Sequence, residues 1–291
     1  MRVLIVGCGY VGLPLGAGLV RQGHEVFGLR RSAAEELQAA GIKPLLADIT
    51  QPESLKDLPR NFNWVVNCVA AGGSTDNYRQ VYLEGNRNLV LWLADSPPKR
   101  FIYTSSTSVY GQNDGSVVTE ESPAEPVEDT AKVLVEAEKL LLAEAHNKFP
   151  TTILRVAGIY GPGRGHWFRQ FLRGEARIEG DGSRILNMIH RDDVAGCIIA
   201  ALERGTPSEI YNAVDDEPVS QRELFEWLAA TLGKPMPQSI SEEAGFVRKR
   251  GVTNKRVSNR KLKTELGYQF QHPDFRSGYG VELSRLGSAG K

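Results

Sequence analysis

Residues 3–12 read Val3-Leu4-Ile5-Val6-Gly7-Cys8-Gly9-Tyr10-Val11-Gly12. A short β-branched, apolar run passes directly into G-x-G-x-x-G, and the segment behind it, Leu13 to Arg21, has helical character. In that strand–loop–helix setting each glycine has a mechanical role. Gly7 permits the tight turn, Gly9 lets a pyrophosphate approach backbone where a Cβ would collide, and Gly12 lets the helix pack against the strand. The helix N-terminal N–H groups then face the phosphate, with Tyr10 and Val11 on the same loop. These residues predict a dinucleotide site; a βα turn with no ligand is the competing reading. His24 to Leu29 follows as a second strand and completes a βαβ unit.

Outside this unit, Pro44 to Ala47, Trp64 to Val69, Arg100 to Thr104 and Thr152 to Val156 are further short apolar runs, separated by segments that can hold a helix. The pattern predicts an α/β fold, a parallel sheet with helices on both faces. Ala131 to Ala145 reads as an amphipathic helix, with Val135 and Leu142 on its apolar stripe and Lys132, Glu136, Glu138 and Lys139 on its polar one. Gln221 to Leu232 reads as another, capped by Ser220 and stopped by Gly233. The stretch Gly161 to Gly182 is rich in Gly and Arg, breaks the alternation, and marks the exit from the first domain.

Composition removes other classes. At 291 residues and 41% hydrophobic the chain can bury one large core or two modest ones. With 35 basic and 35 acidic side chains it lacks the positive excess on which nucleic-acid or anionic-membrane binding rests. No run approaches the roughly 18 apolar residues that cross a bilayer, and the N-terminal stretch lacks the pattern of a secretory signal. Cys8, Cys68 and Cys197 are odd in number and widely spaced, which supports neither a disulfide framework nor a zinc site. A soluble, cytoplasmic protein without a structural metal is expected.

The end of the second strand bears on the cofactor. An acidic residue there would hold the ribose 2′-OH of NAD, whereas this chain has Leu29-Arg30-Arg31, whose guanidinium groups suit a 2′-phosphate. NADP is favoured over NAD; two solvated loop arginines are the plain alternative.

Later motifs add a resemblance. Leu46-Ala47-Asp48-Ile49, Val69-Ala70-Ala71, Tyr103-Thr104-Ser105-Ser106-Thr107-Ser108-Val109-Tyr110-Gly111, Leu154 to Gly163, Ile189-His190-Arg191-Asp192-Asp193 and Tyr211-Asn212-Ala213 stand in the order seen in extended short-chain dehydrogenase/reductases. From Met1 to about Leu283 the chain resembles the NAD-dependent epimerase/dehydratase family among them. The resemblance implies a doubly wound Rossmann sheet and a smaller C-terminal substrate domain, with substrate in the cleft between. Residues 1–163 and a returning 184–204 would form the first domain, 164–183 and 205–291 the second. It further implies cofactor contacts from Asp48, Ile49, Val69, Ala70, Ala71 and Thr104.

Members of the family use a Ser or Thr, a Tyr and a Lys, the last two spaced as Y-x-x-x-K. Ser106 matches the first and Lys132 the last, but Glu128 stands where the Tyr belongs, and no tyrosine lies between Gly111 and Pro150. A glutamate beside Lys⁺ is a poor general acid at neutral pH. Tyr110, Tyr160 and His166 are substitutes on position alone, while His190 reads as structural. Tyr82, in Val81-Tyr82-Leu83-Glu84-Gly85-Asn86, departs from the family's Asn-x-x-Gly-Thr. These departures resemble the atypical branch of the family.

Two functions follow. One is an oxidoreductase or epimerase acting on a nucleotide sugar or similar hydroxylated small molecule. The other is a non-catalytic NADP-binding redox sensor that reports occupancy to a partner. The family also suggests a homodimer. A likeness of Gly9 to Leu15 to UDP-glucose dehydrogenases is local, because Cys197 sits in an apolar helical stretch rather than a glycine-rich loop. The basic segment Arg248 to Lys263 resembles the family's C-terminal helix, capped by Ser258 and stopped by Gly267. Contact with a substrate phosphate suits this segment better than nucleic acid.

Overall fold

The apolar run Val3–Val6 lies in strand Arg2–Val6, and all four of its side chains are completely buried. Parallel partners flank it on both sides, Glu25–Arg30 on one and Trp64–Asn67 on the other, so it is a central strand. That explains its lack of alternation: both faces of an interior parallel strand are covered. In this computed structural model, which describes residues 1–145, 149–240 and 253–289, seven parallel strands form the main sheet. Their order is Ile210–Ala213, Thr151–Val156, Arg100–Ser106, Trp64–Asn67, Arg2–Val6, Glu25–Arg30, Lys43–Leu46. Strand order reverses between Arg2–Val6 and Trp64–Asn67, which opens a crevice beyond their C-terminal ends.

The doubly wound Rossmann architecture is as the sequence predicted, with strand ends moved by one or two residues. One strand needs correcting. Ile210–Ala213 falls in the segment 205–291 expected in the smaller domain, yet it is hydrogen-bonded to Thr151–Val156 at the edge of the main sheet. Its residues 211–213 are buried, and Val257, Leu262 and Leu266 join the same large core, so the chain re-enters the first layer after position 205.

A second, separate core gathers Phe168, Phe171, Ile178, Met188, Leu224, Phe225, Phe275 and Tyr279. Helix Gln221–Leu232 feeds it, with Ser220 Oγ accepting the Glu223 N–H and Gly233 in the left-handed conformation, both as read from sequence. Helix Arg260–Leu266 ends at Gly267 as expected, but Asn259 holds its cap position; Ser258 Oγ accepts only the Arg260 N–H, at 3.3 Å. Arg248, Lys249 and Arg250 of the basic segment lie outside the described residues. Among the described residues, no helix is long and apolar enough to cross a membrane. The three cysteines are free thiols, and burial pushes Cys8 up to about 12.

One buried polar assembly spans several elements. Glu138, on helix Asp129–Ala145, receives three hydrogen bonds of 2.7–3.2 Å from the Arg155 guanidinium and one of 2.6 Å from Ser105 Oγ. Arg155 Nη1 also donates to Tyr110 Oη, which donates onward to Asn212 Oδ1 at 2.8 Å. Removing one member leaves an uncompensated charge in the interior, which costs about 3–5 kcal/mol. We therefore expect Glu138→Gln to lower Tm by roughly 6–20 °C. Glu138→Leu combined with Arg155→Met should recover most of the loss in a thermal melt, and a single variant melting like wild type would refute the assignment.

Candidate functional site

The crevice is built first by backbone. Gly7 has φ +78°, and a Cβ there would sit 2.6 Å from the Val69 backbone, so turn and neighbouring strand end close on each other only with glycine. A Cβ on Gly9 would find no protein atom nearer than 3.9 Å. The space beside Gly9 therefore belongs to the crevice, a cradle that a side chain would fill. Gly12 was expected among the cofactor contacts, but it is buried and does not line the crevice. A Cβ there would meet Ile5 at 2.9 Å and Cys68 Sγ at 3.2 Å, which makes it a helix-packing glycine. Among the described residues no backbone acceptor takes the N–H groups of Tyr10, Val11 and Gly12.

This first cavity, about 600 Å³, is lined by Gly7, Gly9, Tyr10, Val11, Arg30, Arg31, Asp48, Ile49, Val69, Ala70, Ala71, Thr104 and Ser106. All of these were singled out from sequence. Arg30 is tethered, its Nη1 2.9 Å from Glu36 Oε2, whereas Arg31 is exposed at the rim. Asp48 spends Oδ1 on the Thr50 N–H and hydroxyl. Tyr82, noted only as a departure, takes the Ala71 N–H on its hydroxyl at 3.0 Å from within the π turn Arg79–Glu84, and so props the 69–71 segment. Arg164 was missed. It lines the cavity with its guanidinium 5.0 Å from the Tyr10 ring centre, while Tyr10 donates to the Pro162 carbonyl. Its only sequence signal was the glycine-rich Gly161-Pro162-Gly163-Arg164-Gly165.

A second cavity of about 700 Å³ opens toward the smaller core and shares Ser106, Ser108, Gly158 and Ile159 with the first. Its lining includes His166, Trp167, Arg184, Met188, Lys255 and Tyr279. Lys255 is 3% exposed, and burial, then the charge of Arg184, lowers its ammonium to about 8. Lys255 falls in the basic segment Arg248 to Lys263 that the sequence offers for substrate contact, whereas nothing local marks Arg184. Of the substitutes considered for the tyrosine, Tyr160 and His166 line this second cavity, and Tyr110 lines neither. Tyr160 is buried with its hydroxyl donating to the Asp274 carbonyl.

The model of the NAD dependent epimerase/dehydratase family matches residues 3–213. This chain belongs to that family. Protein YeeZ of Escherichia coli (strain K12) is 31% identical over 287 residues, covering 94% of this chain and 97% of that protein. The 2-alkyl-3-oxoalkanoate reductase of Stenotrophomonas maltophilia (strain K279a) is 29% identical over 268 residues, 84% of this chain and 80% of its own. A solved Methylobacillus flagellatus protein assigned to NAD-dependent epimerases/dehydratases is 35% identical, with TM-score 0.79 and 98% of both chains covered.

Within the family frame, two expected catalytic residues are misplaced. Lys132 is exposed, its ammonium paired at 2.8 Å with Asp129 at the start of the same helix, and it lines neither cavity. Glu128 lies just before that helix, lines neither cavity, and uses its carbonyl to accept the Ala131 and Lys132 N–H groups. The residues facing the crevice are Thr130, Ala131 and Leu134. At 100° per residue, Lys132 points about 200° away from Leu134. Thr130 and Leu134 keep the i, i+4 spacing sought for Tyr and Lys, two residues further on. Neither residue can serve as an acid, a base or a cation.

His190, Asp192 and His272 bring potential metal-ligand atoms within 4.8 Å of one another. His190 Nδ1, however, accepts the Asp192 N–H at the start of helix Arg191–Arg204, so the group works as a helix cap and places the ring proton on Nε2. This agrees with a structural His190.

The glycine geometry makes a prediction. Gly9→Ala should leave the melting of the ligand-free protein within about 2 °C of wild type while weakening dinucleotide binding at least tenfold by calorimetry. Gly7→Ala should lower stability before any ligand is added. Equal effects of the two would refute the division of roles.

Proposed function

We propose that this family member is an NAD(P)-dependent oxidoreductase or epimerase for a small hydroxy or oxo compound, a nucleotide sugar or a similarly functionalised molecule. The observation that carries the reading is the junction of the two cavities at Ser106, Ser108, Gly158 and Ile159. A dinucleotide bound along the first cavity supplies the hydride donor or acceptor. The loop Gly7 to Val11 offers N–H groups to its pyrophosphate, with Arg164 alongside. Asp48 and Ile49 flank the adenosine, Val69, Ala70, Ala71 and Thr104 the remainder, and Arg30 and Arg31 a 2′-phosphate, which favours NADP over NAD. Ser106 hydrogen-bonds the substrate oxygen. The name of the Stenotrophomonas maltophilia reductase supports reduction of an oxo group as the reaction class.

The reading divides the chain into a cofactor domain, residues 1–163 with 184–204, the edge strand 210–213 and the segment 257–266, and a smaller substrate domain. It takes the working unit as a homodimer in the cytoplasm. A second reading, an NADP-binding redox sensor without turnover, is favoured by one observation: Thr130 and Leu134 occupy the crevice-facing positions where the proton relay belongs.

Thermal unfolding with NADP⁺, NADPH, NAD⁺ and NADH in separate titrations tests both. Saturation at 100 times Kd adds about 2.7 kcal/mol, a rise of roughly 5–11 °C. The phosphorylated pair should give the larger rise, Arg31→Ala should narrow the difference, and Lys132→Ala should leave it unchanged. No rise with any nucleotide would end both readings. A rise with no consumption of NADPH across oxo substrates would select the sensor.

A further inference from the structure

Among the described residues, none balances the charge of Lys255. Its ammonium is almost completely buried and donates to two neutral acceptors, the Tyr110 carbonyl at 2.6 Å and Thr253 Oγ1 at 3.0 Å. An ammonium has three N–H donors, so one remains. Among the described residues, no carboxylate lies within salt-bridge distance of it, and the charge acting on it is another cation, Arg184. Burying an unpaired cation is costly, and proteins hold one where a ligand completes it. Lys255 lines the second cavity, and its Tyr110 contact ties it to the turn that carries Ser106 and Ser108.

The rest of the lining narrows what that ligand is. Among the described residues its ionised side chains are Lys255, Arg184 and Arg177 against Glu175 and Glu179, with Arg184 Nη1 3.5 Å from Glu179 Oε2. His166 adds none at neutral pH, because burial and then Arg184 hold it below its ordinary value. A diphosphate brings at least two negative charges, which Lys255 alone would not balance beside the carboxylate of Glu175. Trp167, Ile185, Leu186, Met188 and Ile240 form an apolar stretch of the wall, beside the polar Gln170, Asn187 and Thr253.

We propose that the second cavity binds an amphipathic monocarboxylate, an oxo or hydroxy acid whose carboxylate pairs with Lys255 and whose apolar body lies on Trp167, Ile185 and Met188. The proposal deepens the oxidoreductase reading and rests on it for the placement of the reacting carbon beside Ser106.

The test is calorimetric titration of the full chain with octanoate, 1-octanol, octyl phosphate and UDP. Octanoate should bind at least tenfold more tightly than each of the others. Lys255→Met should cut octanoate affinity at least tenfold while leaving 1-octanol binding unchanged, which also shows that the cavity is intact; Lys255→Arg should retain most of it. In wild type, octanoate affinity should fall as pH rises through about 8, where the ammonium loses its proton. Tighter binding of UDP or octyl phosphate, equal binding of octanoate and 1-octanol, or an unaffected Lys255→Met would each overturn the proposal. Octanoate binding that depends on Lys255 in a protein unmoved by all four nucleotides would instead refute the oxidoreductase reading alone.

Discussion

The register of one helix against the sheet depends on a buried charge. Glu138 stands two turns beyond Thr130 on helix Asp129–Ala145, and its carboxylate is enclosed by Arg155 from strand Thr151–Val156 and Ser105 from strand Arg100–Ser106. A rotation that brought Lys132 to the crevice would carry Glu138 out of this enclosure and leave Arg155 buried without a counter-charge. The cost of that exceeds anything an exposed Lys132–Asp129 pair contributes, since surface pairs are worth about 1 kcal/mol or less. The interior pair therefore decides which residues the helix shows to the crevice.

This also explains where sequence reading succeeded and where it stopped. The glycine loop and the strands were legible because their signals are local: an apolar run, a turn that only glycine can make, a helix behind it. The catalytic frame was not, because Lys132 is conspicuous as the lysine of a Y-x-x-x-K count, while the residue that fixes the frame looks like one more polar side chain. Glu138 had a discernible mark, as it falls at i+8 from Thr130 and i+4 from Leu134, inside the apolar stripe rather than opposite it. Arg164 and Arg184 had no such mark, and Lys255 only the basic segment around it. Their roles arise from contacts distant in the chain: Arg164 and Tyr10 are 154 positions apart, Arg184 and Thr253 69, Lys255 and Tyr110 145. The edge strand Ile210–Ala213 failed for a related reason: a short strand pairing with Thr151–Val156 looks in sequence like any apolar stretch after an exit loop.

The two cavities differ in how their polarity is supplied. The first offers backbone N–H groups and rim arginines, a surface whose positive character persists across any pH at which the fold stands. The second offers a buried ammonium whose charge depends on a value near 8 and on Arg184 beside it. A fixed field suits a ligand with permanent phosphates, and a single buried ammonium suits a ligand that brings a single negative charge. The division of electrostatics follows the division of cores, since Gly7 to Gly12 belong to the main sheet and Arg184 and Trp167 to the segments around the smaller core.

The crevice-facing positions bear on chemistry through what they cannot do. A threonine hydroxyl at 130 hydrogen-bonds but does not ionise in the useful range, and Leu134 presents only hydrocarbon. Lowering a neighbour's pKa needs a nearby cation. With the helix supplying none, positive charge near Ser106 comes from the opposite wall, where Lys255 reaches the Tyr110 carbonyl at the end of the Ser106–Val109 turn. A cation so placed acts on the substrate from the side of the second cavity rather than from the cofactor side. In the proposed reading, a proton that reaches a substrate oxygen at Ser106 passes through Ser106 itself, through water, or along that wall.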